Sequence, residues 1–169
     1  ENGFEIFTPP EAHYDAARAK AHIWGGAVPQ DGSPGSEPVD AAARAGWHYP
    51  ALPWLDGILA DVPAGTRIVL LFPPVHIAQQ PRPGSVAAAR EADCKDAIRA
   101  LAERRGATLV DFRLKSPVTA DDNNYWDGLH YRLPIAARIA RDLHQVSEGT
   151  SRAADGFFRV LTRTPNDPR

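Results

Sequence analysis

Residues 67–72, Arg-Ile-Val-Leu-Leu-Phe, form a continuous β-branched and aromatic run. That is the pattern of a strand buried on both faces of a parallel sheet. Pro73-Pro74 ends it, and Val75-His76 follow. From Ser85 to about Arg105 the period changes: Cys94, Ile98, Leu101 and Ala102 recur at helical spacing, Ser85 is placed to cap, and Gly106 to stop. Ala107 to Phe112 reads as a second strand. Strand, helix, strand over residues 67–112 is a βαβ unit, so the two strands should run parallel. Pro134 opens a last helix with Ile135, Ile139, Leu143 and Val146 as its buried stripe and Gly149 as its stop.

The flanks are patterned more weakly. Thr8-Pro9-Pro10-Glu11 carries a helix-start signature, with Thr8 as cap and Glu11 reaching back, and Tyr14, Ala17, Ala21 and Trp24 follow before Gly25-Gly26. Val39–Ala45 and Leu52–Asp61 predict two further helices. The second has Pro53 at its start and Trp54, Leu55, Ile58 and Leu59 as its apolar face. Gly3–Phe7 predicts a short strand, and Phe157–Leu161 an edge strand. Asp31–Pro38 is a loop of turn residues; no strand feeds it and no Lys-Ser/Thr follows its glycines, which argues against a phosphate cradle. The expected organisation is one α/β domain over residues 1–149, with 150–169 as a C-terminal extension and a disordered end at Pro165–Arg169.

Composition narrows the classes without naming one. The chain has 169 residues, 43% hydrophobic and 24% charged, with net charge −2, enough for one domain with a core. The 19 Lys and Arg are scattered, so neither a nucleic-acid track nor an anionic membrane surface is indicated. No apolar run approaches the roughly 18 residues of a membrane span. The single Cys94 cannot form an internal disulfide and reads as a small hydrophobe. A chain that starts at Glu1 and holds no Met reads as a processed or excised piece, with any targeting signal removed upstream.

The chemistry concentrates in Asn123-Asn124-Tyr125-Trp126-Asp127-Gly128-Leu129-His130-Tyr131. Asp127 and His130 stand three apart around Gly128. In a loop, that spacing lets the carboxylate accept from the imidazole Nδ1–H, fix the tautomer and leave Nε2 as a general base. An Asp–His pair that merely pins a loop has the same spacing. The position favours chemistry, because ligands of open α/β sheets bind beyond the carboxyl ends of the strands. His76 follows one such end and the Asp127–His130 loop the other. Trp47, Tyr49 and Trp54 suggest an aromatic cluster, packed in the core or offered to a sugar.

The order strand, Pro-Pro-x-His, helix, strand ending Val-Asp-Phe, long loop, Asn-Tyr-Trp-Asp-Gly-Leu-His-Tyr and final helix resembles the C-terminal half of the SGNH (GDSL-like) hydrolase superfamily over residues 52–147. The nearest likeness is to its bacterial branch acting on cell-surface or secreted polysaccharides. The resemblance implies a flavodoxin-like three-layer α/β fold with a parallel sheet, incomplete at its N-terminal side. It implies Asp127 as the residue that orients the imidazole and His130 as the base; His76, from its place beyond a strand end, and the aromatics Tyr125 and Trp126 are the substrate-binding candidates. It also implies a periplasmic or secreted location and no cofactor. The family's serine lies in an N-terminal Gly-Asp-Ser block, which this chain lacks. Ser33, Ser36, Ser85, Ser116, Ser147 and Ser151 fall in turns, caps or helix ends, and Asn123 and Asn124 lie outside the family's oxyanion block. Two explanations follow: a C-terminal portion completed by an N-terminal half or partner chain that carries the nucleophile, which the intact pair favours, or a domain that has lost catalysis.

The expected activity is therefore an ester hydrolase or acyl transferase acting on an acylated small molecule or carbohydrate, O-acetyl esters above all. The alternatives are a carbohydrate-binding or assembly module using Trp47, Trp54, Tyr125 and Trp126, and a metal site of His76, Asp127 and His130 with Asp121 or Asp122.

Overall fold

Two short parallel strands joined by one long helix form the βαβ unit on which the sheet is built. The computed structural model describes residues 9–25 and 39–162; Gly3–Phe7, the loop at Asp31–Pro38 and Pro165–Arg169 lie outside these. The protein is an α/β protein with a small mixed sheet. Its described residues group into two units, 9–25, 73–80 and 112–158 in one and 39–72, 81–111 and 159–162 in the other.

The second unit holds the sheet. Strand β1 (Val69–Phe72) and strand β2 (Thr108–Asp111) pair in parallel with Val69 opposite Thr108 and Phe72 opposite Asp111. Between them runs α4 (Val86–Arg104), capped as expected by Ser85, whose Oγ accepts from the Ala88 N–H. Gly106, at φ 66°, makes the left-handed turn that ends it. Ala102, Ala107 and Leu109 form the core, with Ile68, Leu70, Phe72 and Ile98 packed on it. Strand β3 (Arg159–Val160) adds antiparallel to β2, so the edge strand expected near Phe157–Leu161 forms over two residues.

β1 departs from expectation. Leu70 and Phe72 turn toward α4, while Val69 and Leu71 are 40% and 37% exposed. The continuous hydrophobic run implied burial on both faces, yet only the face turned to α4 is covered; among the described residues β1 is an end strand with β2 as its neighbour. Helices α2 (Ala41–Ala45) and α3 (Leu52–Ala60) form near their expected bounds. Of the apolar face expected on α3 only Leu59 is buried, and Trp54 stands 79% exposed. Tyr49 donates to Asp93 Oδ2 at 2.9 Å.

Asp111, at the carboxyl end of β2, is fully buried. Lys95 Nζ meets both its oxygens at 3.0–3.1 Å and Arg159 Nη2 lies 3.6 Å away. Those partners make a buried carboxylate tolerable, since an unpaired one would be strongly penalised.

The first unit packs α1 (Ala16–Trp24), α5 (Pro117–Ala120) and α6 (Leu133–Ser147) with their connecting loops. The expected start of α1 is corrected: residues Glu11–His13 form one 3₁₀ turn, and the helix begins at Ala16 with Asp15 as its cap. Ala19 and Ile23 are buried, and Ala17 and Ala21 are exposed. Glu11 serves a different helix. It accepts the Leu133 N–H at 2.8 Å and pairs with Arg132 at 2.7 Å, capping α6 from far away in sequence. In α6, Ile135, Ile139 and Val146 are buried as expected, and Asp142 is buried beside them. Phe112, Phe157 and Phe158 fill the core of this unit, with ring centroids 5.2 and 5.5 Å from Phe112.

Candidate active site

The nine-residue motif folds as a tight hairpin. Tyr125 and Tyr131 bridge antiparallel, Arg132 N–H donates to the Asn124 carbonyl at 2.9 Å, and Trp126 N–H donates to the His130 carbonyl at 2.8 Å. Asp127, Gly128 and Leu129 are left as its tip. The hairpin is held on both sides by aromatics turned inward. Tyr125 is wholly buried and Trp126 is 9% exposed, its ring edge-on to Tyr14 at 5.3 Å. Arg132 lies over Tyr14, with Cζ 3.6 Å from the ring centroid, and its Nη1 donates to the Asn123 carbonyl.

At the tip, one carboxylate does two jobs. Asp127 Oδ1 accepts from the backbone N–H groups of Leu129 and His130 at 2.7 and 2.8 Å, which closes the turn. Oδ2 lies 2.8 Å from His130 Nδ1. The loop-pinning and ring-orienting roles thus coexist, divided between two oxygens. Partial burial pushes the Asp127 carboxyl up, but hydrogen bonds from the His130 ring and from the Leu129 and His130 N–H groups outweigh it, and the net shift is downward. The ionised carboxylate can only accept, so Nδ1 carries the ring proton and Nε2 keeps its lone pair. The His130 side chain is 54% exposed and the Asp127 side chain 37%. Nε2 of His130 is a base presented to solvent.

His76 is arranged the opposite way. It is fully buried, and its Nδ1 accepts from the Ala78 N–H at 3.1 Å, capping the 3₁₀ turn Ile77–Gln79. Nδ1 therefore holds a lone pair and Nε2 the proton. Nε2 lies 3.1 Å from Asp122 Oδ1, which also accepts from the Trp24 indole at 3.0 Å. The approach of Nε2 to that oxygen falls short of good hydrogen-bond geometry, so the contact is chiefly electrostatic. The rings of Trp24 and Tyr125 stand edge-on to the imidazole, both at 5.3 Å. Burial lowers the His76 pKa, opposed by the Asp122 and Asp121 charges, and the ring is neutral at pH 7.

Of the residues expected to serve a site, Asp127 and His130 come together in bonding geometry. His76, Tyr125 and Trp126 gather behind the hairpin, where they present no open face to a substrate. Of the five residues considered as metal ligands, Asp122 lies with His76 and Asp127 with His130, while Asp121 Oδ1 accepts the Asn123 N–H. Among the described residues no group of three or more His, Cys, Asp or Glu side chains is placed to hold a metal ion. An open depression of about 510 Å³ is lined by Lys20, Trp24, Ala120, Asp121, Asp122 and Asn123. His130 is not among its lining residues.

The sequence reading missed Gln79 and the service of Asp122 to His76. Neither carries a local signal: Gln79 lies in an unremarkable turn, and Asp122 reaches His76 across 46 residues of chain. Among the described serines, Ser85 and Ser116 cap helices and Ser147 Oγ donates to the His144 carbonyl, while Ser151 is exposed in the loop after α6. No family model, curated protein or solved structure matches the chain.

Proposed function

We propose that this chain carries the acid–base pair of an ester hydrolase or acyl transferase of SGNH type, with His130 as general base and Asp127 as its orienting carboxylate. The observation that carries this reading is the His130 Nδ1 to Asp127 Oδ2 contact of 2.8 Å on a ring whose other nitrogen faces solvent. In the reaction, Nε2 takes the proton of a serine hydroxyl as its Oγ attacks an acyl carbonyl. The imidazolium, held by Asp127, then returns that proton to the departing alcohol, and a second acceptor, water or a sugar hydroxyl, releases the acyl group by the same route. An O-acetyl ester of a carbohydrate is the substrate class the resemblance favours, and no cofactor enters these steps.

The serine is supplied from outside the described residues, on a further segment of the polypeptide or on a partner chain. β1 supports such an addition. Among the described residues it is an end strand, whose outer backbone edge can pair with another strand, and Val69 and Leu71 leave one of its faces exposed. A flavodoxin-like three-layer sheet would result, and a periplasmic or secreted setting accompanies this reading.

Intact-mass analysis after fluorophosphonate treatment tests the proposal, run on this chain and on the product of its complete gene, because such probes label a serine activated by a base. The expected result is an adduct on the complete product that His130→Ala abolishes. No adduct on either would remove the hydrolase reading. It would leave a carbohydrate-binding module, which the exposed indole of Trp54 favours and whose saccharide binding would survive His130→Ala.

A further inference from the structure

We infer that the turn His76–Gln79 is a clasp that positions the Asp127–His130 pair by gripping Gly128, and that His76 and Gln79 are positioning residues for that site. The inference rests on His130 being the base of the proposed site. The first grip is backbone: the His76 N–H donates to the Gly128 carbonyl at 2.9 Å. The second is steric. A Cβ on Gly128 would lie 2.5 Å from Gln79 Cγ, 2.7 Å from its Nε2 and 2.9 Å from its Cδ, so the Gln79 side chain fills the space a larger residue would need.

Gly128 does not have a positive φ, so backbone conformation does not demand glycine there. The neighbour that takes the space is the exposed Gln79 side chain, so a methyl at 128 requires either Gln79 or the tip to move. His76 itself cannot shift freely: Ala78 N–H holds its Nδ1, Asp122 faces its Nε2, and Tyr125 and Trp24 pack edge-on against its ring. Tyr125 belongs to the hairpin, so the clasp meets that hairpin at its tip and at its flank. A turn anchored by the buried His76 ring thereby holds the buried Gly128, and with it the flanking Asp127 and the exposed Leu129 and His130. Supporting contacts of this kind govern whether a base sits at productive geometry.

The experiment is a long-range ¹H–¹⁵N NMR correlation of the histidine rings at a pH where they are neutral, which reads the tautomer of His130 without substrate. The wild-type protein should show His130 protonated at Nδ1. Gly128→Ala should shift it toward the Nε2–H form that free imidazole prefers, because the added methyl drives the tip off Gln79. Adding Gln79→Ala should restore the Nδ1–H form. A stabilising glycine with no positioning role would change the melting temperature and leave the tautomer alone. An unchanged tautomer in Gly128→Ala overturns the inference. So does a double variant in which the Nε2–H form persists. If Gly128→Ala does not fold, the double variant decides: a folded protein with His130 protonated at Nδ1 upholds the clasp, and a second failure to fold overturns it. Because no substrate is involved, a failed fluorophosphonate reaction would bear on the proposed activity and leave this result standing.

Discussion

Two imidazole–carboxylate pairs lie on neighbouring loops of one unit and use the same groups to opposite ends. His130 and Asp127 are three residues apart and exposed, with the proton on Nδ1 directed at the carboxylate and Nε2 open. His76 and Asp122 are far apart in sequence; the ring is fully buried, the proton sits on Nε2 and a backbone N–H occupies Nδ1. A pair with a free nitrogen in solvent can exchange a proton with a substrate. A buried pair, with Nδ1 held by a backbone N–H and Nε2 shut in beside its carboxylate, holds structure. Identity and proximity of residues do not separate these outcomes; the tautomer and the exposure do.

The comparison is broken most directly by removing each ring. His130→Ala should lower the rate of serine labelling in the complete protein by about 10³-fold, within the range of a general base. It should change unfolding free energy by no more than about 0.5 kcal/mol, as for an exposed side chain. His76→Ala should do the reverse in the denaturant unfolding of the chain. It deletes a fully buried ring and leaves the Ala78 N–H unmet, for a loss of about 3 kcal/mol. Equal stability losses for the two variants would mean that the pairs are not functionally distinct.

Asp127→Asn sharpens the same contrast. The asparagine oxygen can still accept the Leu129 and His130 N–H groups and so keep the turn, but the ring loses its charged acceptor. Labelling should fall by about 10²-fold while stability drops by less than about 1 kcal/mol. A stability loss without a labelling loss would assign Asp127 to loop-pinning alone.

These differences were unequally legible in the sequence. The strand-helix-strand order, the Ser85 cap, the Gly106 stop and the α6 stripe are local patterns, and each forms close to its expected bounds. The Asp127–His130 contact is also local, since three residues of loop suffice to close it. His76 was legible as a residue beyond a strand's carboxyl end, but its burial depends on Trp24, Asp122 and Tyr125, which only tertiary folding brings around it. The helical start at Thr8 to Glu11 failed for a similar reason. Glu11 gains more by capping α6 and pairing with Arg132 than by closing its own turn. The continuous apolar run of β1 implied two covered faces, and a run of this kind does not reveal which neighbours are present to cover them.

The smallest expected effect is the pH dependence that should mark the buried pair. Burial depresses the folded-state pKa of His76 below 6.5, against the pull of Asp122 and Asp121. The unfolded chain therefore binds the proton first as pH falls. Stability from this group is complete above about pH 6.5 and declines between there and the folded-state pKa, with a slope of at most about 1.4 kcal/mol per pH unit. Protonation at Nδ1 would also set an N–H against the Ala78 N–H that now donates to it. His76→Asn offers an oxygen to that donor and does not titrate, so the difference between wild-type and variant stability should narrow as pH drops through this window. Urea unfolding of both proteins from pH 7.5 to pH 5 measures it. A constant difference across that range would mean that His76 is already free to protonate in the folded protein, and the buried pair would then resemble the exposed one.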